Sequence, residues 1–240
     1  MRRIVLAYAG GLDASVAIPW LKEKYAAEVI TATLDLGQGR ELEEIRDRAL
    51  AAGASRAHVL DAREEFGVEY VLRALKAGAI GENGDPMAAL LARPLIARKL
   101  IQLADIEQAA FVAHVEGEPP ARRALDRSVQ ALRPGMRVLE PAYEWTMMQD
   151  DKLAYAHARG LATPDAGEDC DRVNLNLWGR TVKIGALAAT PTEEVYVLTK
   201  RAADCPDEAA QVEIAFDRGE PAAINGVTMP LLELVASLGT

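Results

Sequence analysis

The chain has 240 residues, half of them apolar and 26% charged, with a formal net charge of −9. This length supports one large domain, or one domain with a smaller appendage, and the composition excludes a disordered or collagen-like chain. The acidic balance disfavours non-specific duplex binding, which rests on Lys and Arg neutralising phosphates, but leaves room for a small anion held by a local loop. No partner of nucleic acid is therefore expected.

Cys170 and Cys205 have no paired spacing with His or with each other. Neither a zinc site nor a disulfide framework is expected, and the usage suits a reducing, cytoplasmic setting. The apolar start up to Tyr8 breaks at Gly10-Gly11, too early for a signal segment. No stretch approaches the ~20 apolar residues of a membrane span, so no membrane partner is expected.

Ile4 to Ala7 reads as a buried strand, and Asp13 to Lys24 as a helix whose first turns Pro19 should bend or shift. Glu28 to Leu34 is a second strand. Arg40 to Ala52 is a charged amphipathic helix that Gly53 stops. Ala57 to Leu60 is a third strand, with Asp61 and Glu64 placed as a capping box for the next helix. Helix, strand and helix follow at 88–104, 109–115 and 120–132, and Val138-Leu139 is one more short strand. Strands alternating with helices of this length predict an α/β fold with a doubly wound parallel sheet.

The pattern changes after Pro141. Residues 163–194 are turn-rich with weak periodicity. Gln211 to Phe216 alternates with period two, and Ala222 to Ile224 completes a hairpin. Leu231 to Leu238 reads as a short helix. The expected division is a first domain over 1–165 and a small α+β domain over 166–240.

Where the first strand ends, Ala9-Gly10-Gly11-Leu12-Asp13-Ala14-Ser15 leads into a helix. Glycines permit a tight turn and close backbone approach, and free N–H groups at a helix start favour a phosphate. Ser15 can add a hydroxyl donor, and Asp13 suits a metal held against phosphates. The same residues are also compatible with an ordinary glycine-rich strand–helix turn. The adjacent glycines match neither the Walker A loop nor the Rossmann fingerprint.

The loop resembles the Ser-Gly-Gly-x-Asp-Ser/Thr-Ser loop of the N-type ATP pyrophosphatases, with Ala9 and Ala14 in place of two hydroxyl residues. Further segments resemble the argininosuccinate synthase family: Leu36-Gly37-Gln38-Gly39, Asp61 to Phe66, Leu91 to Ala97, Asn176-Leu177-Trp178-Gly179-Arg180 and Gly219-Glu220-Pro221. The matches run in family order through nearly the whole chain. The resemblance implies an adenine nucleotide alpha hydrolase-like, HUP-type nucleotide domain followed by a synthetase-type domain. It implies joining of citrulline to aspartate through a citrullyl-AMP intermediate, with ATP going to AMP and pyrophosphate.

By resemblance, residues 9–15 surround the phosphates, with Ala9, Gly10, Gly11, Leu12, Asp13 and Ser15 in contact. Asp13 holds Mg²⁺ and, with Ser15, has a catalytic role. Ala7, Tyr8, Thr33 and the Asp35 to Gln38 turn border the adenosine, although Thr33 and Asp35 also fit plain strand-end polarity. Arg93 and His114 complete the nucleotide site. Arg93 could face a phosphate or carboxylate, or pair with a carboxylate between elements. His114 could contact ligand, carry a proton, or be a structural strand-end histidine.

The substrate half departs from the family. The Thr-Gly-Lys-Gly-Asn-Asp run after Ala-His-Gly is replaced by Val115 to Arg123, the Tyr-Pro-Leu-Gly-Thr/Ser segment by Asp85 to Ala89, and two further polar positions fall on Arg172 and Lys183. Arg122, Arg123 and Arg127 could form a new anion site, or, as the favoured alternative, the solvated face of a helix opened by Pro119-Pro120. Trp20, Trp145 and Trp178 read as core or interface residues. The chain stops at Thr240, whereas family members continue into a C-terminal arm. Losing several charged contacts at ~1.5–3 kcal/mol each removes useful affinity for citrulline and aspartate.

The expectation is an ATP-dependent, AMP-forming ligase or adenylyltransferase using Mg²⁺, acting on a small molecule other than the citrulline–aspartate pair, such as another amino acid or ureido compound. The alternative is a non-catalytic paralogue that binds ATP or AMP. A dimer is expected from the surface left by the missing arm.

Overall fold

The computed structural model describes residues 2–39, 42–81, 84–85, 87–162, 172–183 and 197–238. Along the chain these form β1 (Arg2–Ala7), α1 (Leu12–Tyr25), β2 (Ala27–Asp35), α2 (Leu42–Ala51) and β3 (Arg56–Asp61). Then α3 (Arg63–Phe66) runs through a π-helical turn, Gly67–Val71, into α4 (Leu72–Ala77). Next come α5 (Ala88–Ile106), β4 (Phe111–Ala113), α6 (Pro119–Leu132), β5 (Arg137–Leu139), α7 (Pro141–Glu144) and α8 (Gln149–Ala158). The last elements are β6 (Arg172–Asn176), β7 (Gly179–Lys183), β8 (Ile214–Asp217), β9 (Glu220–Ile224), β10 (Val227–Thr228) and α9 (Leu231–Leu238).

There are two compact units. Residues 1–62 with 89–169 form one, and 63–88 with 170–240 the other. The segment 63–88, which the sequence places inside the first domain, therefore groups with the later residues.

The first unit carries a five-stranded sheet of order β3-β2-β1-β4-β5, with every neighbouring pair parallel. This is the doubly wound α/β fold predicted from the alternation of strands and helices. Ile4 and Leu6 on one face of β1, and Tyr8 just after it, pack with Ala14, Ala17, Ile18 and Leu21 of α1 and Ile45 and Ala49 of α2. Val5 points to the opposite face and is equally buried. Burial on both faces explains why β1 reads as a continuous apolar run, as parallel strands do. The chain order reverses between β1 and β4, which places a crevice beyond their carboxyl ends. Open α/β sheets bind ligands in that position.

Some expectations are corrected. Helix α1 is continuous through Pro19 from Leu12, and ends at Ala26 in the left-handed conformation (φ 47°). Asp61 belongs to the third strand. It is the last residue of β3, paired with Asp35, and the Ala62 N–H then donates to the Asp35 carbonyl at 3.0 Å before α3 begins at Arg63. Strand β4 has three residues rather than seven, because only Phe111 to Ala113 find partners on β1 and β5. Helix α8 had no sequence expectation. Of its residues only Ala156 is fully buried, so it carries almost no apolar period. The proposed first turn of α2 at Arg40, the residue Cys170 and most of 163–194 lie outside the described residues.

In the second unit, Asn176 shapes the β6–β7 hairpin. Its Oδ1 accepts from the Trp178 N–H at 2.9 Å, and its Nδ2 donates to the Ala88 carbonyl at 2.8 Å. The hairpin falls inside the stretch read as merely turn-rich. Strands β8, β9 and β10 form an antiparallel sheet of order β10-β9-β8. Its first strand begins at Ile214 and not at Gln211, since the Glu213 N–H is taken by the Asn225 side chain at 3.0 Å. Among the described residues, no helix is long and apolar enough to cross a membrane.

Candidate functional site

The turn after β1 is built by Gly10. Its φ of +82° is a conformation that L side chains rarely adopt, and an added Cβ would meet Ile45 Cγ1 at 3.2 Å and Arg48 Nη1 at 3.3 Å. Gly11 is the N-cap of α1 and supplies no side-chain cap. The helical ladder opens with the Ser15 N–H donating to the Gly11 carbonyl at 3.0 Å. The N–H groups of Leu12, Asp13 and Ala14 therefore form the uncapped helix start, where partial positive charge collects.

Ser15 is turned into the protein. It is fully buried, and its hydroxyl lies 2.9 Å from the phenol of buried Tyr8. Burial pushes the Tyr8 phenol above its ordinary pKa, a shift partly opposed by the Ser15 hydrogen bond. Thus neither the N–H nor the hydroxyl of Ser15 faces outward with Leu12 to Ala14. Ala9 is exposed and Ala7 half-buried beside them.

Two cations reach this turn, and sequence reading singled out neither. Arg48 of α2 donates from Nη1 to the Gly10 carbonyl at 2.9 Å. Lys152 of α8 donates from Nζ to Asp13 Oδ1 at 2.6 Å. These contacts join residues 38 and 139 positions apart, so no local motif could reveal them. The only available signal was a basic residue one helical turn before the apolar Ala156.

The turn after β2 is tied by its own side chains. Gln38 accepts from the Leu36 N–H and donates to the Leu34 carbonyl, both at 2.6 Å, and Asp35 Oδ1 accepts from the Gly37 N–H at 2.9 Å. Gln38 is therefore engaged with its own turn. Thr33 is buried within β2.

At the end of β4, His114 is 3% exposed. Its Nδ1 accepts from the Glu116 N–H at 3.2 Å, which places the ring proton of the neutral form on Nε2, 2.9 Å from Asp126 Oδ1. Burial pushes the Asp126 carboxyl up, but the hydrogen bond and charge of His114, with Arg122 nearby, bring it below its ordinary value. Arg93 donates through Nη2 to the Glu116 carboxylate, and its Nε is buried without a hydrogen-bond partner. Arg122 meets both oxygens of Glu140 and stacks on the Tyr143 ring at 3.9 Å. It is neither a free anion site nor simply solvated. Glu116 and Arg122, two charged residues of the run that replaces the family substrate segment, are thus engaged with neighbours in the same unit.

His114, Asp126 and Glu140 also bring three potential metal ligands within 4.8 Å of one another. The hydrogen bonds argue against a metal there. A metal on Nε2 would require the proton on Nδ1, which would then oppose the donating Glu116 N–H. Arg122 already occupies both oxygens of Glu140.

A five-stranded parallel sheet with a glycine turn and a helix start beyond its first strand defines an α/β domain of the doubly wound class. The chain belongs to the argininosuccinate synthase family. Residues 3–162 match the arginosuccinate synthase N-terminal HUP domain, and residues 172–240 match the arginosuccinate synthase C-terminal domain. Proteins named argininosuccinate synthase from Gloeobacter violaceus and Brevibacillus brevis are 43% and 41% identical to it, over 99% and 98% of this chain and 61% and 57% of their own length. The relative of that name from Synechocystis sp. is 41% identical over 99% of this chain and 60% of its own. The chain therefore spans about three fifths of the length of these relatives.

Proposed function

We propose that the chain binds ATP beyond the β1–β4 carboxyl edge and serves an ATP-dependent, AMP-forming ligase of the argininosuccinate synthase type. The observation that carries this is the Gly10 turn, which presents the uncapped Leu12, Asp13 and Ala14 amides beside Lys152 and Arg48. In such a reaction a substrate oxygen attacks the α phosphorus, and the bond to the β phosphate breaks. The residues of this chain hold the departing pyrophosphate charge, which is electrostatic stabilisation and not acid–base work. Ala7, Tyr8, Thr33 and the tied Asp35 to Gln38 turn border the adenosine. Ser15 acts from inside the loop, bracing Tyr8.

Mg²⁺ fits this arrangement through Asp13. Magnesium is commonly held by one or two carboxylates together with substrate phosphates, and Asp13 offers a part-exposed carboxylate at the head of the phosphate-binding helix. When bound, the ion supplies charge neutralisation on the phosphates.

The names of the relatives lend no support to an acceptor other than theirs. What speaks for a different acceptor is the rewritten 115–123 run, whose Glu116 and Arg122 are spent on Arg93 and Glu140. Isothermal titration with ATP and AMP tests the nucleotide site. Pyrophosphate release with citrulline plus aspartate, then with other amino acids and ureido compounds, tests the acceptor. Turnover with the first pair removes the altered-acceptor proposal. Nucleotide binding with no pyrophosphate from any substrate turns the assignment to a nucleotide-binding paralogue, and no binding removes both. A dimer remains part of the proposal, and light scattering showing a monomer removes it.

A further inference from the structure

An acidic side chain at the head of a phosphate-binding helix is electrostatically unfavourable unless a cation accompanies it. Asp13 has that cation in Lys152, and the pair is well covered, with side chains 27% and 11% exposed. The placement is built in by packing. Ala156, one turn after Lys152 on the same face of α8, is fully buried against Leu12 and Val16 of α1. Farther along the same helix pair, Arg159 meets Glu23 at 3.0 Å. Helix α8 is thus fixed along α1 so that Lys152 reaches its first turn. An ammonium group has three N–H donors, and one of them meets Asp13.

We propose that Lys152 is a pyrophosphate-binding residue, holding Asp13 in the free protein and turning its charge to the β and γ phosphate oxygens when the triphosphate is bound. The inference rests on the nucleotide assignment above. It explains how a loop with Ala9 and Ala14 in place of two hydroxyl residues retains an attraction for a polyanion: one cation, anchored on a neighbouring helix, stands in for the absent donors. It also gives Asp13 two alternative cations, Lys152 when the site is free and Mg²⁺ when it is loaded.

The test is titration of the wild-type protein, Lys152→Met and Lys152→Arg with inorganic pyrophosphate, ATP and AMP, each in EDTA and in Mg²⁺. The expected result is about tenfold weaker binding of pyrophosphate and ATP by Lys152→Met, the size of one lost charge-assisted hydrogen bond, with AMP little changed and binding largely restored by Lys152→Arg. Equal affinity of wild type and Lys152→Met for pyrophosphate overturns the inference, and so does an equal loss for AMP. Absence of ATP and pyrophosphate binding by the wild type instead overturns the nucleotide assignment. A measurement independent of any variant is the Lys152 Nζ resonance of the wild type, which should move on adding pyrophosphate. A resonance that stays in place while pyrophosphate binds overturns the inference alone.

Discussion

Arg48 donates to the carbonyl oxygen of Gly10 at 2.9 Å, bracing from α2 a turn that glycine alone makes possible. This one contact couples the second helix to the loop at the end of the first strand. It uses the charge of Arg48 to hold the peptide of Gly10 while its φ is positive. Arg48→Ala should lower stability by about 1.5–3 kcal/mol, the range for a hydrogen bond to a charged group, and weaken ATP binding. Urea unfolding with and without ATP checks both parts.

Gly10→Ala should be worse for the loop than its size suggests. The backbone conformation costs about 1–2 kcal/mol for an L residue, before any contact with Ile45 and Arg48 is counted. A protein of this length should then melt a few degrees lower, about 2–4 °C per kcal/mol. Calorimetry measures the shift, and an unchanged melting temperature contradicts the role given to the turn.

Tyr8 and Ser15 form a buried hydroxyl pair. Tyr8→Phe leaves Ser15 without that partner and should cost about 1–3 kcal/mol, while Tyr8→Phe with Ser15→Ala should recover part of the loss. The pair also predicts a pH dependence. Tyr8 has a folded-state pKa above its unfolded value near 10, chiefly from burial. Its contribution is fully present below pH ~10 and is lost as pH rises through the folded value, because the unfolded chain releases the proton first. Alkaline unfolding curves of wild type and Tyr8→Phe should converge as pH climbs above ~10.

Glu116 and Arg93 are paired with side chains only 16% and 13% exposed. Glu116→Gln leaves a mostly buried guanidinium without its counter-charge and should destabilise by about 3–5 kcal/mol if that charge stays buried, whereas Arg93→Met with Glu116→Met should recover much of it. Chemical denaturation of the single and double variants checks this. Near-additive losses would contradict a specific pair.

The Glu116 N–H at His114 Nδ1 predicts that the neutral form of the ring carries its proton on Nε2, and that there is no zinc site with Asp126 and Glu140. Nitrogen chemical shifts of the imidazole report the tautomer directly. Zinc titration should show no binding that depends on His114; loss of a zinc-binding signal in His114→Asn would overturn the argument from the Glu116 N–H.

Much of the fold was legible because its signals are local. Ile4-Val5-Leu6 had to be a strand buried on both faces, and Gly10-Gly11 before a helix had to be a tight turn. Leu231 to Leu238 carried its own helical period. Helix α8 was not legible, because a single buried alanine, Ala156, leaves almost no apolar pattern. The β6–β7 hairpin was hidden in a polar stretch whose turn depends on Asn176 bonding both to Trp178 and to Ala88, far away in sequence.

The same division runs through the candidate site. The sequence by itself determined the glycine turn, the uncapped helix start, the acid at Asp13 and the family to which the chain belongs. All of these rest on neighbouring residues and their order. Only the tertiary structure decided that Ser15 faces inward to Tyr8, that Arg93 meets Glu116, and that Arg48 and Lys152 bring positive charge to the turn. Those outcomes depend on how helices settle on a sheet, where burial and packing set the direction of each side chain. Charge pairing across more than a hundred residues leaves no trace in local spacing.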